Sequence, residues 1–373
     1  MTKMAPAPPS KTVQKKALPD AADNDVLEQL KNSKNGSFIE VQKNRIKLTN
    51  LDKELWPRLD KQPPLTKRDF LIYLTKVSPY LLEHMLDRPI TLVRFPNGIT
   101  GERFYQKHWN SPLPDFVKTV PLQEHREKRQ DYLLCNNLST MLWLGQVADL
   151  EFHTWFARVS SGPDSEVPAG LSGQAEIDFV TRYPDFMIFD LDPYLYAGTE
   201  PKGAEPELNR KGFAATCEAA LWLKETLDKL SLAAFIKTSG KTGLHIYVPL
   251  LRQFDFHAVQ SAAKTICGFV LQHHPKQITI DWTVARRSGK VFFDYNQNVR
   301  GKTLISIYSP RATPEATVST PLRWDELGKV YPTDFTTFNV PERLSKLGDL
   351  WANILNAKSD LKGMLEESKG ANK

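Results

Sequence analysis

The chain has 373 residues, 41% of them hydrophobic and 25% charged, so it carries enough apolar material for one large domain or two modest ones and is expected to be globular. Its 49 Lys and Arg against 43 Asp and Glu leave a net charge of +6, which suits a polyanionic partner and equally suits an ordinary solvated surface. Three scattered cysteines (Cys135, Cys217, Cys267) without C-x-x-C spacing argue against a disulfide framework or zinc cluster. No apolar run approaches the roughly 18–20 residues of a membrane span, and no signal-peptide core is present, so a soluble cytoplasmic protein without membrane association is expected.

Residues 1–36, rich in Ala, Pro and Lys, read as a flexible leader. From Ser37 onward FIEVQ and RIKLT alternate around Lys43–Asn44 as two short strands. Thr66-Lys67-Arg68-Asp69 has capping-box chemistry, and Phe70, Tyr73, Leu74 and Val77 follow at helical spacing, predicting a helix from about Lys67 towards Met85. ITLVRF reads as a strand, NNLSTMLWLGQVA as a helix, and LEFHTWF as a strand with Glu151, His153 and Trp155 on one face. Loops are expected from Ser160 to Glu176 and from Pro193 to Lys211, on either side of the strand FMIFDLD. Beyond them come a long helix through Leu230, strands AFIKT and HIYVPL joined by a glycine turn, a helix through Leu271, and strands ITI, KVFFDYN and TLISI. Interspersed helices and strands without a regular β-α-β repeat predict an α+β fold with mixed or antiparallel sheets flanked by helices.

Two carboxylates, Asp190 and Asp192, lie two residues apart at the end of a very apolar strand and therefore share a face. Like charges at the edge of an apolar sheet favour a hard divalent cation; a solvated turn closed by Pro193 uses the same spacing. Asp294 lies within another apolar strand, where Asp is depleted; it is either a third carboxylate converging on the first two or a lone buried Asp bonded to a turn. Three converging carboxylates are what a two-metal phosphoryl-transfer site needs. The turn Thr238 to His245 lacks the first glycine of a Walker A loop, yet its glycines, Ser239, Thr242, Lys241 and His245 suit a phosphate cradle as well as a plain hairpin. Arg286, Arg287, Arg300, Lys302 and Arg311 flank the Asp294 strand and suit a triphosphate or a solvated face. Phe104-Tyr105-Gln106-Lys107-His108-Trp109 interleaves aromatic and basic groups, as a single-strand platform does and as an ordinary core segment can. Lys53 and Lys67 are either surface lysines or phosphate contacts.

The blocks LTNLDKELWP, LTKRDF, RPITLVRFPNG, RFYQKHW, LEFHTWF, DFMIFDLDP, FIKTSGKTGLHIYVPL, RRSGKVFFDYNQNVRGKT and YSPRATPEATVSTPLRWDEL, in that order, closely resemble the polymerase domain of bacterial DNA ligase D, of the archaeo-eukaryotic primase superfamily. The resemblance runs from about Glu40 to Leu327. It implies a primase-type catalytic fold over residues 37–345, followed by a C-terminal helical tail over 346–373. It further implies that Asp190, Asp192 and Asp294 hold two divalent ions, Mn or Mg, in a template-dependent nucleotidyltransferase. Ser239, His245, His153, Arg287 and Arg311 match groups around the incoming NTP or dNTP. Lys53 and Lys67 match lysines that grip a downstream 5′-phosphate, and Phe104, with Tyr105 beside it, matches an aromatic stacking on template DNA; Lys107 joins them as a DNA contact.

One departure is local: many relatives read S-G-G-K-G-x-H, whereas here Thr242 takes the lysine's place and Lys241 precedes it. The family domain fills most of the chain, so a polymerase acting with a separate ligase and a Ku-like end-binding protein is expected, filling short gaps at DNA ends in non-homologous end joining at the nucleoid. The basic run His125-Arg126-Glu127-Lys128-Arg129, at the place of a protruding family loop, suits contact with a second DNA end or a solvated surface. Rival readings are a DNA-end bridging protein without catalysis, a primase that starts chains unprimed, and a metal-dependent nuclease.

Overall fold

The computed structural model describes residues 21–124, 128–194 and 208–365. In chain order, α1 (Ala21–Asn32) precedes the hairpin β1 (Phe38–Val41) and β2 (Asn44–Lys47), the short pair β3 (Glu54–Trp56) and β4 (Leu65–Thr66), and α2 (Lys67–Met85). Then follow β5 (Pro89–Arg94), β6 (Phe104–Gln106), β7 (Lys118–Leu122), β8 (Gln130–Leu134), α3 (Leu138–Gln146), β9 (Asp149–Trp155), α4 (Gln174–Val180) and β10 (Phe186–Tyr194). The remainder comprises α5 (Arg210–Lys229), β11 (Phe235–Thr238), β12 (Leu244–Pro249), α6 (Phe256–His273), β13 (Ile278–Thr279), β14 (Lys290–Asp294), β15 (Thr303–Ile305), β16 (Pro321–Leu322) and α7 (Val340–Leu347). Among the described residues no helix is long and apolar enough to cross a membrane.

Two six-stranded sheets organise the molecule. One has the order β13-β14-β10-β12-β11-β16, and the other runs β15-β9-β5-β8-β7 with β6 added to β5. All pairings in them are antiparallel except β13 with β14. This is the α+β architecture the sequence predicts. Along β10 the side chains alternate: Met187, Phe189 and Leu191 are fully buried on one face, and Asp190 and Asp192 project from the other. α5 and α6 pack against β10, and each fully buried Leu or Phe of this core contributes roughly 1.5–3 kcal/mol.

α2 begins where Thr66 accepts from the Asp69 amide while the Asp69 carboxylate accepts from the Thr66 amide, the reciprocal cap expected from the sequence. Phe70, Leu71, Leu74, Val77 and Leu81 make its buried stripe.

Several elements depart from the sequence expectation. The second half of the expected leader is helical: α1 buries Val26, Leu27 and Leu30 against the core, and Arg68 donates to the carbonyls of Leu30 (2.5 Å) and Ser33 (2.9 Å). Three apolar side chains on one face suffice to dock a short helix whose polar composition conceals it. α4 starts inside the first expected loop. The described residues after α7, 348–365, are mostly irregular, and they pack Trp351, Ile354 and Leu361 into the core. Strands β6, β7 and β8 escaped the periodicity reading because they are short and partly exposed, and β16 because it has only two residues. Residues 195–207 of the second expected loop, and His125, Arg126 and Glu127 of the basic run, lie outside the described residues. Arg129 of that run is engaged with Asp178 through two bonds of 3.0 and 2.6 Å.

Candidate active site

The antiparallel registers align four polar residues in one row across the first sheet. Lys237 on β11 pairs with His245 on β12, His245 with Asp190 on β10, and Asp190 with Asp294 on β14. Directly paired residues share a sheet face, so all four look towards the second sheet. The next row sets Asp192 opposite Phe292. Between the sheets lies a cleft of about 360 Å³ lined by Asp190, Asp192, Tyr194, Ser239, Lys241, Thr242, His245 and Arg311 and, from the second sheet, by Tyr105, His153 and Thr303 to Ile305.

Asp190 and Asp294 are both more than nine-tenths buried. Burial pushes each carboxyl up to about 6; Lys237 and Arg311 restrain the rise at Asp190, and the neighbouring Asp190 adds to it at Asp294. Gln297 bridges the pair, donating to Asp294 Oδ2 at 3.0 Å and Asp190 Oδ2 at 3.4 Å. The Asn296 amide holds Asp294 Oδ1 at 2.9 Å. Asp190 Oδ1 is buried and accepts no hydrogen bond; His245 Nε2 stands 3.2 Å away, at ion-pair distance but off the line of a bond.

The β11–β12 turn is closed by Ser239. Its amide donates to the Gly243 carbonyl (2.9 Å), and its hydroxyl accepts from the amides of Gly243 (3.1 Å) and Lys241 (3.2 Å). Gly240 adopts φ +74°, and a Cβ there would lie 2.6 Å from Arg311 Cγ, so the turn and Arg311 are packed as one unit.

On β9, Glu151 organises the opposite wall. Its Oε2 meets Arg311 Nη1 at 3.3 Å and His153 Nε2 at 3.1 Å, while Oε1 accepts from the Ala312 amide at 2.9 Å. Burial opposes ionisation, yet Arg311, His153 and the Ala312 amide together hold the Glu151 carboxyl well below the usual range. Burial depresses His153 and, more strongly, His245, where the charges of Lys237 and Arg311 add to the effect. Burial likewise brings Lys237 far below the ordinary lysine value, Arg311 adding and Asp190 opposing. The cleft therefore sets Arg311 and two histidines against a pair of raised carboxyls, one of which, Asp190, keeps an unbonded buried oxygen, a layout that receives a polyanion together with hard cations.

Of the residues expected from the sequence, Asp190, Asp192, His153, Ser239, Lys241, Thr242, His245, Arg311 and Tyr105 line the cleft, and Asp294 joins them through its pairing with Asp190. Thr242 and Lys241 both reach the lining although the turn departs from the family wording. Arg287 does not line the cleft. It is buried in an aromatic box, 3.5 Å from the Phe292 centroid and 4.7 Å from that of Tyr194, and it donates to the carbonyls of Asp281 and Trp282. Arg300 turns to the Thr181 and Gln123 carbonyls and away from the site. Gln297 and Lys237 were not anticipated, and Glu151 was read only as sharing a strand face with His153; a lysine inside the apolar strand Phe235–Thr238 is the signal that could have found Lys237.

A separate basic site forms at the start of α2. Lys67 is 5% exposed and donates to the Gln146 carbonyl (3.0 Å); burial, with the nearby Lys53 charge, lowers it to about 8. Lys53 donates to the Pro96 carbonyl at 2.9 Å. Two ammonium groups thus share the N-terminal end of a helix, which favours an anion. Phe104 and Tyr105, on the edge strand β6, are 44% and 59% exposed, so their rings are available for stacking. Lys107 pairs with Glu124 at 2.9 Å.

Among the described residues no three His, Cys, Asp or Glu side chains are already gathered into a metal cage. The buried, bond-deficient Asp190 Oδ1 beside Asp294 nevertheless fits a hard divalent ion, which takes carboxylate oxygens and tolerates an incomplete protein shell.

A family model described as LigD, primase-polymerase domain, matches residues 66–351. The chain is 30% identical over 306 residues to the bifunctional non-homologous end joining protein LigD of Bacillus subtilis, spanning 82% of this chain and 43% of that protein. It is 30% identical over 312 residues to the multifunctional non-homologous end joining protein LigD of Mycolicibacterium smegmatis, spanning 83% and 36%. The chain therefore spans less than half the length of these curated relatives. Among solved structures, the polymerase domain from Mycobacterium tuberculosis ligase D in complex with DNA superposes with a TM-score of 0.69 at 28% identity, covering 84% of this chain and 99% of that one.

Proposed function

The chain belongs to the LigD primase-polymerase domain family, a family of nucleotidyltransferases, and from that membership we propose that it extends primers across short gaps at DNA ends during non-homologous end joining. The observation that carries this reading is the in-register Asp190–Asp294 pair at the head of a cleft whose opposite walls bring His245, Arg311 and the Ser239 turn.

Asp190, Asp192 and Asp294 would hold divalent ions, Mg or Mn; when bound, these supply hydroxyl activation and charge neutralisation for in-line transfer to the α-phosphorus of an NTP or dNTP. Gln297 fixes the spacing of two of those carboxylates through one side-chain amide. Ser239, Lys241, Thr242, His245 and Arg311 provide donors for the triphosphate, and Glu151 orients Arg311 and His153 towards it. Arg287 would reach the nucleotide only after leaving its aromatic box. Lys53 and Lys67 receive the 5′-phosphate on the far side of the gap, and Phe104 and Tyr105 stack on template bases. Lys107 supports the same surface from its pairing with Glu124. The polymerase unit corresponds to about residues 37–345, with α1 docked on it. A Ku-like protein would deliver the ends, a ligase activity would seal the product, and the cytoplasmic nucleoid is where both partners and substrate are found.

The test is extension of a labelled primer across a short gap bearing a 5′-phosphate, with NTPs or dNTPs and Mg²⁺ or Mn²⁺. Templated addition by the wild type, lost in an Asp190→Ala, Asp192→Ala double variant that still binds the DNA, supports the reading. Binding and bridging of ends without extension would favour a purely architectural role, degradation of the primer a nuclease, and abundant starts on an unprimed circle a primase.

A further inference from the structure

Lys237 is completely buried on β11, and its ammonium group meets three partners: His245 Nδ1 at 2.8 Å, the Ile305 carbonyl at 3.1 Å and Ser319 Oγ at 2.6 Å. The Ser319 hydroxyl spends its own hydrogen on the Thr238 carbonyl at 2.8 Å, so towards Lys237 it accepts. The Ile305 carbonyl can only accept. With the lysine charged, a state that burial opposes and the Asp190 carboxylate favours, it has three hydrogens, and the third is directed at the lone pair of Nδ1; a neutral amine would instead accept from an Nδ1–H. The ring proton of a neutral His245 is then on Nε2, the nitrogen 3.2 Å from Asp190 Oδ1. That nitrogen lies off the line of a bond to Asp190, so its hydrogen is left for a ligand in the cleft.

Lys237 itself is absent from the cleft lining, whereas His245 belongs to it. With all three hydrogens committed, the lysine is not a phosphate ligand; it acts through the imidazole. We propose that Lys237 is a positioning residue that locks His245 as the Nε2–H tautomer, presenting a fixed neutral donor to the phosphate oxygens of the incoming nucleotide. The inference rests on the polymerase reading for the identity of the ligand, while the tautomer rests on the hydrogen bonds made by a charged Lys237. The Ile305 contact adds a positional constraint, because that carbonyl belongs to the opposite sheet: His245 is held relative to both walls of the cleft through one ammonium group.

The experiment is ¹⁵N-histidine NMR of the full chain, whose 8 histidines make the His245 signals assignable by their loss in His245→Asn, combined with nucleotide kinetics of Lys237→Met. The expected wild-type pattern for His245 is a protonated Nε2 and a bare Nδ1. Lys237→Met, similar in length but without donors, should mix the tautomers and raise KM for the nucleotide about tenfold, with kcat reduced less and affinity for gapped DNA unchanged. A wild-type His245 protonated on Nδ1 overturns the proposal, as does a folded Lys237→Met with wild-type KM and an unchanged spectrum. Where Lys237→Met does not fold, Ser319→Ala takes its place: loosening the ammonium should raise KM severalfold, and an unchanged KM with an unchanged spectrum overturns the proposal. A wild type that extends no primer sinks the polymerase reading and leaves the tautomer result standing.

Discussion

The carboxylate of Asp192 lies directly over Gly243: a Cβ built on the glycine would stand 2.8 Å from Asp192 Oδ1 and 2.1 Å from the Leu191 carbonyl oxygen. The smallest side chain at 243 therefore cannot coexist with the present spacing of β10 and β12. Gly243→Ala should cost roughly 1–3 kcal/mol of stability by forcing the strands apart, and it should lower primer extension more than 100-fold, since Asp192 and the Ser239 turn move together. Thermal melting alongside single-turnover extension checks this; near-wild-type extension would show that the contact is easily relieved.

The raised carboxyls give a pH dependence with a definite sign. A carboxyl whose folded value lies near 6, above its unfolded value near 4, binds more protons when folded, so the metal-free protein loses stability as pH rises from about 4 through 6. Asp294→Asn should thus stabilise the metal-free protein at pH 7 by about 1–2 kcal/mol while abolishing extension. Divalent ions should raise the melting temperature of the wild type at pH 7, raise it little at pH 5 where protons compete, and leave the variant unaffected.

Lys67 behaves in the opposite sense. Lowered to about 8, it is penalised for its charge at neutral pH, and that penalty is relieved as pH rises through 8 towards 10. Lys67→Met is expected to raise the melting temperature at pH 7 by a few degrees while removing the preference for gaps with a 5′-phosphate over gaps without one. In the wild type the same preference should decline between pH 7 and 9. Equal loss of extension on both substrates would assign Lys67 to general DNA affinity.

Glu151→Gln keeps the shape of the β9 wall but withdraws the negative charge between Arg311 and His153. The buried guanidinium then lacks its counter-charge, which should cost roughly 1–3 kcal/mol, and the nucleotide KM should rise about tenfold. A change confined to stability, with unaltered KM, would make Glu151 a structural anchor only.

The chemistry-bearing elements were legible because their sequences obey simple periods. The D-x-D of β10 falls on one face by strand alternation, and the helix from Lys67 to Met85 begins at the residue its capping box predicts. Pairing was not legible. Nothing within Phe235–Thr238 or Lys290–Asp294 says that Lys237, His245, Asp190 and Asp294 fall into one row, because register is decided by which strands become neighbours. Arg287 shows the converse: its neighbours in sequence suited a triphosphate, but the aromatic side chains that capture it come from β10 and β14 as well as from its own loop. Lys67 and Lys53 were singled out together as contacts to one phosphate, whereas their mutual repulsion depends on the fold.

The docking of α1 alters where this protein can be cut. Arg68, the residue after Lys67, spends its guanidinium on carbonyls of Leu30 and Ser33, at and just beyond the end of that helix. A chain shortened to begin at Ser37, where the sequence pattern first turns regular, would remove those acceptors and uncover the first turn of α2. It would leave Arg68 beside Lys53 and Lys67 with Asp52 alone among the described residues to hold it, so such a fragment should hold DNA more tightly and with less regard for the 5′-phosphate than one that begins before Ala21.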